Sequence, residues 1–380
     1  MESRKDIPVS DREKAGLRGP VKTCTEETTV KDSDGTEGKF SDTTEYDASG
    51  RIIATHGSNP KGREWSSTRE YDAQGRLLRS AGNQMGNTNE TINTYDRGGR
   101  RLKAIEKRAG ATFSETTYAY DAGGRVVDIT TKGEMASHSV FQYDEQGLKT
   151  RTQTFDREPV PPNFAFGGTP MLAAEIGHGV PPGGHVTTIY DQHDRPTEAQ
   201  IYDAAGHVVS RMVARYDADG RVIDERQVLD DPASIIPPEV RDQLLKQAGR
   251  SIEELRAYLG SLLGGKQSGF GQSTKYDAQG RVTEVRTTMF AGFEQVVTTM
   301  YNDHGETATE ETTTTNPAAF TEKPDGVPRT IPPPPRHYEA RYEYRYDGFG
   351  NWTERTTKYR DNPDEPSKGS STAHRTITYY

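Results

Sequence analysis

The sequence predicts a mostly β protein: antiparallel β-hairpin repeats, with a period of about 24 residues, forming a long curved or spiral sheet with one inserted helical hairpin. Three observations carry this. The hexamer YDxxGR occurs six times in 380 residues, and successive tyrosines from Tyr46 to Tyr143 are 25, 24, 25 and 23 residues apart. The chain is only 31% hydrophobic yet holds 19 Tyr and 44 Thr, residue types that suit a pleated, half-buried surface. Its 38 Gly and 22 Pro punctuate many turns. A 24-residue period accommodates two strands of about eight residues, roughly 26 Å each, and two turns.

Elements follow in order. Residues 1–20 are charged and read as a flexible N-terminal segment, without the apolar stretch of a signal peptide. Residues 21–155 hold the first repeats. Residues 156–188, rich in Pro and Gly, read as a long surface loop, with Phe164 and Phe166 as candidate binding contacts. Repeats resume over 189–228. At 229–269 the apolar period changes from 2 to 3.6: Pro238 suits a helix start, Gly249 a terminator, and Ser251 with Glu254 a capping box for a second helix. The stripe Ile252, Leu255, Leu259, Leu262 and Leu263 needs a surface to pack on. Repeats return over 270–314, the IPPPP run marks 315–337 as an extended linker, and 338–380 carries a last repeat and a closing strand.

The full corners are Tyr46, Asp47, Gly50 and Arg51; Tyr71, Asp72, Gly75 and Arg76; Tyr95, Asp96, Gly99 and Arg100; Tyr120, Asp121, Gly124 and Arg125; Tyr216, Asp217, Gly220 and Arg221; and Tyr276, Asp277, Gly280 and Arg281. Asp suits the first position of a type I turn, and Gly supplies the positive φ that closes it. At the 71–76 corner this geometry places Asp72 opposite Arg76, Tyr71 opposite Leu77 and Glu70 opposite Leu78, with Tyr and Leu on one face and an exposed Asp–Arg pair on the other. Relaxed copies begin at Tyr143, Tyr190, Tyr202, Tyr301 and Tyr346, making eleven corners.

These corners resemble the RHS or YD-repeat family, over about residues 40–310 and 338–359. The resemblance implies hairpins joined edge to edge into a sheet that winds into a spiral or shell, as in bacterial polymorphic toxins, insecticidal toxin complexes and teneurin-type surface proteins. It also implies an extracellular or cell-envelope location, a cytoplasmic one being the alternative. The DPxG-type motif of the large toxin members is not found in the sequence.

No catalytic constellation is legible. Segment 260–267 has the spacing of a phosphate loop, but Gln267 stands where a metal-binding hydroxyl is needed and the segment follows a helix. The nine histidines form no HExxH, the Asp-rich turns lack enough oxygen ligands for calcium, and Cys24, the single cysteine, reads as a packing residue in an alternating strand. The expectation is therefore no catalysis, cofactor or metal. A net charge of −9 without a basic stripe argues against nucleic acid, and no apolar run reaches transmembrane length. The function expected is a binding or scaffolding protein that takes carbohydrate or protein on its sheet face and inserted loops; the alternative is a component or remnant of an RHS-type toxin shell.

Overall fold

The computed structural model describes residues 9–31, 36–134, 136–156, 180–236, 238–249, 251–262, 271–288, 293–315, 319–321, 329–331, 336–361, 365–367 and 369–380. Among the described residues the chain is mostly β, with few helices. Strands run in chain order: β1 (Val21–Lys31), β2 (Glu37–Tyr46), β3 (Ile52–Ser58), β4 (Glu64–Tyr71), β5 (Leu77–Gln84), β6 (Asn87–Tyr95), β7 (Arg101–Arg108), β8 (Ala111–Tyr120), β9 (Val126–Gly133), β10 (Ser137–Tyr143), β11 (Lys149–Phe155) and β12 (His185–Tyr190). They continue as β13 (Pro196–Tyr202), β14 (Val208–Tyr216), β15 (Val222–Leu229), β16 (Gly271–Tyr276), β17 (Val282–Thr288), β18 (Glu294–Tyr301), β19 (Thr307–Thr315), β20 (Ala319–Thr321), β21 (Arg329–Ile331), β22 (Arg336–Tyr346), β23 (Trp352–Arg360) and β24 (Gly369–Tyr379).

The chain divides into two compact units, one of residues 1–115, 300–310 and 338–380, the other of 116–299 and 311–337. In the first, antiparallel pairing runs β22–β23–β24–β1–β2–β3–β4–β5–β6–β7, so the last strand lies beside the first. In the second it runs without a break from β9 to β18. The first unit has a small core of Leu17, Val21, Cys24 and Tyr46, and the second one of Val180, Val186, Ala199, Ile201, Val209 and Ala214. Both are thin, as expected when hydrogen-bonded neighbours rather than a deep interior supply most contacts.

The register corrects one expectation at the 71–76 corner. Tyr71 does face Leu77, but Glu70 pairs with Arg79, because Leu78 is the extra residue of a bulge. The same shift follows Tyr46, Tyr95, Tyr216 and Tyr276. The apolar residues after the corner arginines are half-buried rather than enclosed.

Insertions leave the ladders intact. Between β15 and β16 lie a short 3-10 turn (Pro232–Ile235) and two helices, α1 (Pro238–Ala248) and α2 (Ile252–Leu262), yet Asp224, Glu225 and Arg226 pair directly with Ser273, Gln272 and Gly271. Gly249 takes φ +61° as the terminator, and the capping box forms: Ser251 N donates to Glu254 (2.9 Å) and Glu254 N to Ser251 Oγ (3.2 Å). Half-buried Ile252, Leu255 and Leu259 share a stripe of α2. This helix packs on the 3-10 turn, with Arg256 held bidentate by Asp231. Leu263 lies outside the described residues, as does most of the 156–188 loop, including Phe164 and Phe166. The segment read as an extended linker contains the antiparallel pair β20–β21, and its proline run lies outside the described residues. The N-terminal segment, expected to be flexible, forms one helical turn at Asp11–Lys14 behind a Ser10–Glu13 capping box and buries Leu17 at 4% exposure.

Candidate functional site: a ladder of corners and a polar trough

Every one of the eleven corners closes with the same two backbone bonds, from the Asp (or Asn302) N–H to the carbonyl four residues on, and from the Gly (or Asp194) N–H back to that Asp. At Asp72, one carboxylate oxygen accepts from Gln74 N (3.0 Å) and Arg76 N (2.9 Å), while the other accepts from Arg76 Nε (2.5 Å). The carboxylate thereby satisfies turn amides that have no ladder partner, and fixes its arginine. Gly75 sits at φ +81°, where a side chain would be strained. The turn Asn59–Arg63 repeats this geometry with Asn59 as the cap, a corner whose only sequence signal is the spacing NxxGR.

The Asp–Arg pair does not stand free on an exposed face. Five of the corner arginines reach forward onto the next tyrosine of the row: in the first unit Arg51 lies 4.7 Å over the Tyr71 ring and Arg76 4.9 Å over Tyr95. In the second unit Arg125 covers Tyr143 at 4.3 Å, Arg195 covers Tyr216 at 4.6 Å and Arg221 covers Tyr276 at 4.7 Å. The tyrosine hydroxyl then donates to the carbonyl just past that arginine, as Tyr71 to Ile52 O (3.0 Å) and Tyr276 to Val222 O (2.9 Å). Within each unit, ring, guanidinium, carboxylate and turn amides thus form a relay along a sheet edge. Burial pushes the phenols of Tyr216 and Tyr276 above their ordinary value. The relay crosses both insertions, since Lys149 lies 3.9 Å over Tyr190 across the 156–188 loop and Arg221 meets Tyr276 across the helices.

Tyr202 departs from the row. Its turn joins β13 to β14, at the opposite sheet edge from the turns after Tyr190 and Tyr216, and its ring stacks on His185 at 4.5 Å. That explains why these three tyrosines are spaced more closely than a full period.

One face of the first unit carries two adjoining depressions. One, of about 380 Å³, has a floor of small residues including Ser66, Thr68 and Ala81, with Arg79, Glu90 and Lys107 along one side. The other, of about 330 Å³, extends it across Ser41, His56, Ser58 and Glu64, and both share Ser66 and Asn83. Glu90 accepts from Arg79 Nε (2.5 Å) and Lys107 Nζ (2.9 Å), which hold its carboxyl below the ordinary glutamate value. The trough therefore offers hydroxyls and amides over a floor of small side chains. On the other face, Glu26 binds Arg355 (3.2 Å) and Arg375 (3.1 Å), both of which lie against Trp352, while Trp65 Nε1 donates to Asp42 (3.0 Å). Burial pushes the Asp42 carboxyl up.

Cys24 is buried, and burial raises its thiol above the ordinary value. Among the described residues no group of three His, Cys, Asp or Glu side chains is placed to hold a metal ion, and no helix is long and apolar enough to cross a membrane.

Residues 20–158 match the family model described as Teneurin YD-shell. No curated protein matches the chain. Similar solved structures include a porin-like protein from Bacteroides uniformis ATCC 8492, 12% identical, with 95% of this chain and 99% of that one covered at a TM-score of 0.27. Two structures of TcdB2-TccC3 are 13% and 11% identical, with 96% of this chain covered and TM-scores of 0.21 and 0.15; the second lacks the hypervariable C-terminal region. The chain spans only 24% and 28% of those two chains. Residues 20–158 are thus similar to the Teneurin YD-shell family, and the corner geometry found there recurs from Tyr46 to Tyr346.

Proposed function

We propose that this protein is a non-catalytic scaffold that binds a protein or carbohydrate partner in the trough over Ser66, Thr68 and Ala81. The observation that carries the reading is a division of labour. The corner Asp, Arg and Tyr side chains are consumed by the relay, while the trough leaves its lining side chains Ser66, Thr68, Asn83 and Thr88 exposed. Neutral hydrogen-bonding side chains of this kind suit sugar hydroxyls or an extended peptide. Stacking of sugars on corner tyrosines is a weaker idea, because arginines already cover those rings.

The test is a panel of neutral and acidic oligosaccharides and peptides titrated by calorimetry against the full chain and against Ser66→Trp, which fills the floor. A ligand bound by the full chain and lost in Ser66→Trp at unchanged melting temperature supports the reading; binding unaffected by Ser66→Trp removes the trough from it. A second reading, a shell component, is favoured by the family match. It predicts assemblies larger than one chain in light scattering.

A further inference from the structure

In the first unit, β24 and β1 meet at an edge where the neighbouring hairpins have a YDxxGR turn or, at Tyr346, its relaxed copy. There, two segments far apart in sequence reproduce that turn. Tyr379 pairs with Val21 and, past one extra residue, Thr378 with Thr23, just as Tyr71 pairs with Leu77 and Glu70 with Arg79. Tyr380 N donates to Pro20 O at 3.0 Å, the counterpart of the Asp72 N to Arg76 O bond at 3.0 Å. Gly19 takes φ +76° where Gly75 takes +81°. Tyr379, Tyr380, Gly19, Pro20 and Val21 therefore hold the positions of Tyr, Asp, Gly, Arg and the following apolar residue.

This corner lacks the carboxylate and guanidinium that secure the others, and the segment from Ser10 to Arg18 replaces them. The neighbouring corner at Gly350 has Asn351 in its Arg position and the Tyr301 corner has Glu306 in its own, and Arg18 reaches in instead: its guanidinium donates to His304 O (2.7 Å) and Gly350 O (3.3 Å), against Gly350 as Arg51 lies against Gly75. Arg18 N donates to Asn351 Oδ1 (2.6 Å), and Asn351 Nδ2 to Arg18 O (2.9 Å), with Asn351 itself 2% exposed. On the other side of the join, Arg12 N donates to Gly50 O (3.0 Å), Asp11 accepts from Ile52 N (3.0 Å), and Arg12 donates to Val21 O (3.2 Å).

We propose that the β1–β24 join is a split corner latched by residues 10–18, and that this join is where the first unit opens. A turn cut in two loses the covalent connection that holds register elsewhere, so its pairing depends on the strap. Cys24, the chain's single cysteine, is paired with Thr44 and Ile377 beneath the join and is 8% exposed, which makes it an internal reporter.

The experiment follows modification of Cys24 by N-ethylmaleimide under native conditions, with hydrogen exchange by mass spectrometry on the same samples. Arg18→Ala, Gly19→Val and deletion of residues 2–18 are compared with the full chain. The expected result is Cys24 labelling at least about tenfold faster in all three, with faster exchange confined to β1 and β24 while β4 and β5 stay protected. Should the deletion fail to fold, the two substitutions decide. Unchanged labelling, or acceleration matched by exchange in β4 and β5, overturns the proposal.

Discussion

Each corner side chain has more than one partner, which sets what its loss costs. Arg76 is bound by Asp72 within its own turn and covers Tyr95 of the next, so Arg76→Gln removes contacts in two repeats. A double-mutant cycle of Arg76→Gln with Tyr95→Leu should give a coupling of about 0.5–1 kcal/mol in chemical denaturation, and the cycle with Tyr71→Leu close to none. Equal couplings would place the arginine over its own tyrosine. The carboxylates add a pH signature. The Arg100 N–H and guanidinium hold Asp96 below the ordinary aspartate value of 3.8, and Arg125 does the same for Asp121. A depressed folded-state value gives stability that is complete above the unfolded value and is lost as pH falls through the folded one. Melting temperature should therefore fall progressively below about pH 4. Asp96→Asn should flatten that dependence while keeping the turn, as Asn302 does by accepting from His304 N (2.9 Å) and Glu306 N (3.0 Å). An unaltered acid profile in Asp96→Asn would show that the corner carboxylate is not a source of the acid sensitivity. The motif itself was readable at this scale. The forward reach of the arginine was not, because the tyrosine it covers lies in the next repeat.

At the scale of elements, the sheet tolerates insertions because each hairpin bonds only to its neighbours. The helical insertion packs on its own 3-10 turn while β15 and β16 pair beneath it. Replacing residues 237–269 with about ten Gly and Ser residues should lower the melting temperature by only a few degrees and leave the far-ultraviolet strand signal in place, because loop-closure entropy changes slowly with length. Collapse of that signal would make the helices part of the core. Helix caps were legible here because Ser251 and Glu254 act locally. The bulge that pairs Glu70 with Arg79 was missed, because it comes from strand twist past the turn rather than from any residue type.

For the whole molecule, the pairing of β1 with β24 joins residues more than three hundred positions apart, as Cys24 with Ile377. Contacts of that separation form late, since closing so long a loop costs entropy before any bond repays it. In refolding from denaturant, most strand signal should return before Cys24 becomes resistant to a fast thiol reagent; protection arriving in step with the strand signal would mean that the join forms with the rest.

The sequence by itself determined what is local and repeated: β class, the positions of the corners, the requirement for Gly75 and its equivalents, and the caps of the helical insertion. It did so because a YDxxGR turn closes through its own Asp, whose partners lie within four residues. Only the tertiary structure decided which tyrosine each arginine covers, that Tyr202 turns at the other edge, that Ser66 and Asn83 lie in one trough, and that Arg18 serves the corner at Gly350. These depend on neighbours brought together by register and by the meeting of distant strands, for which a single chain of residue types carries no marker.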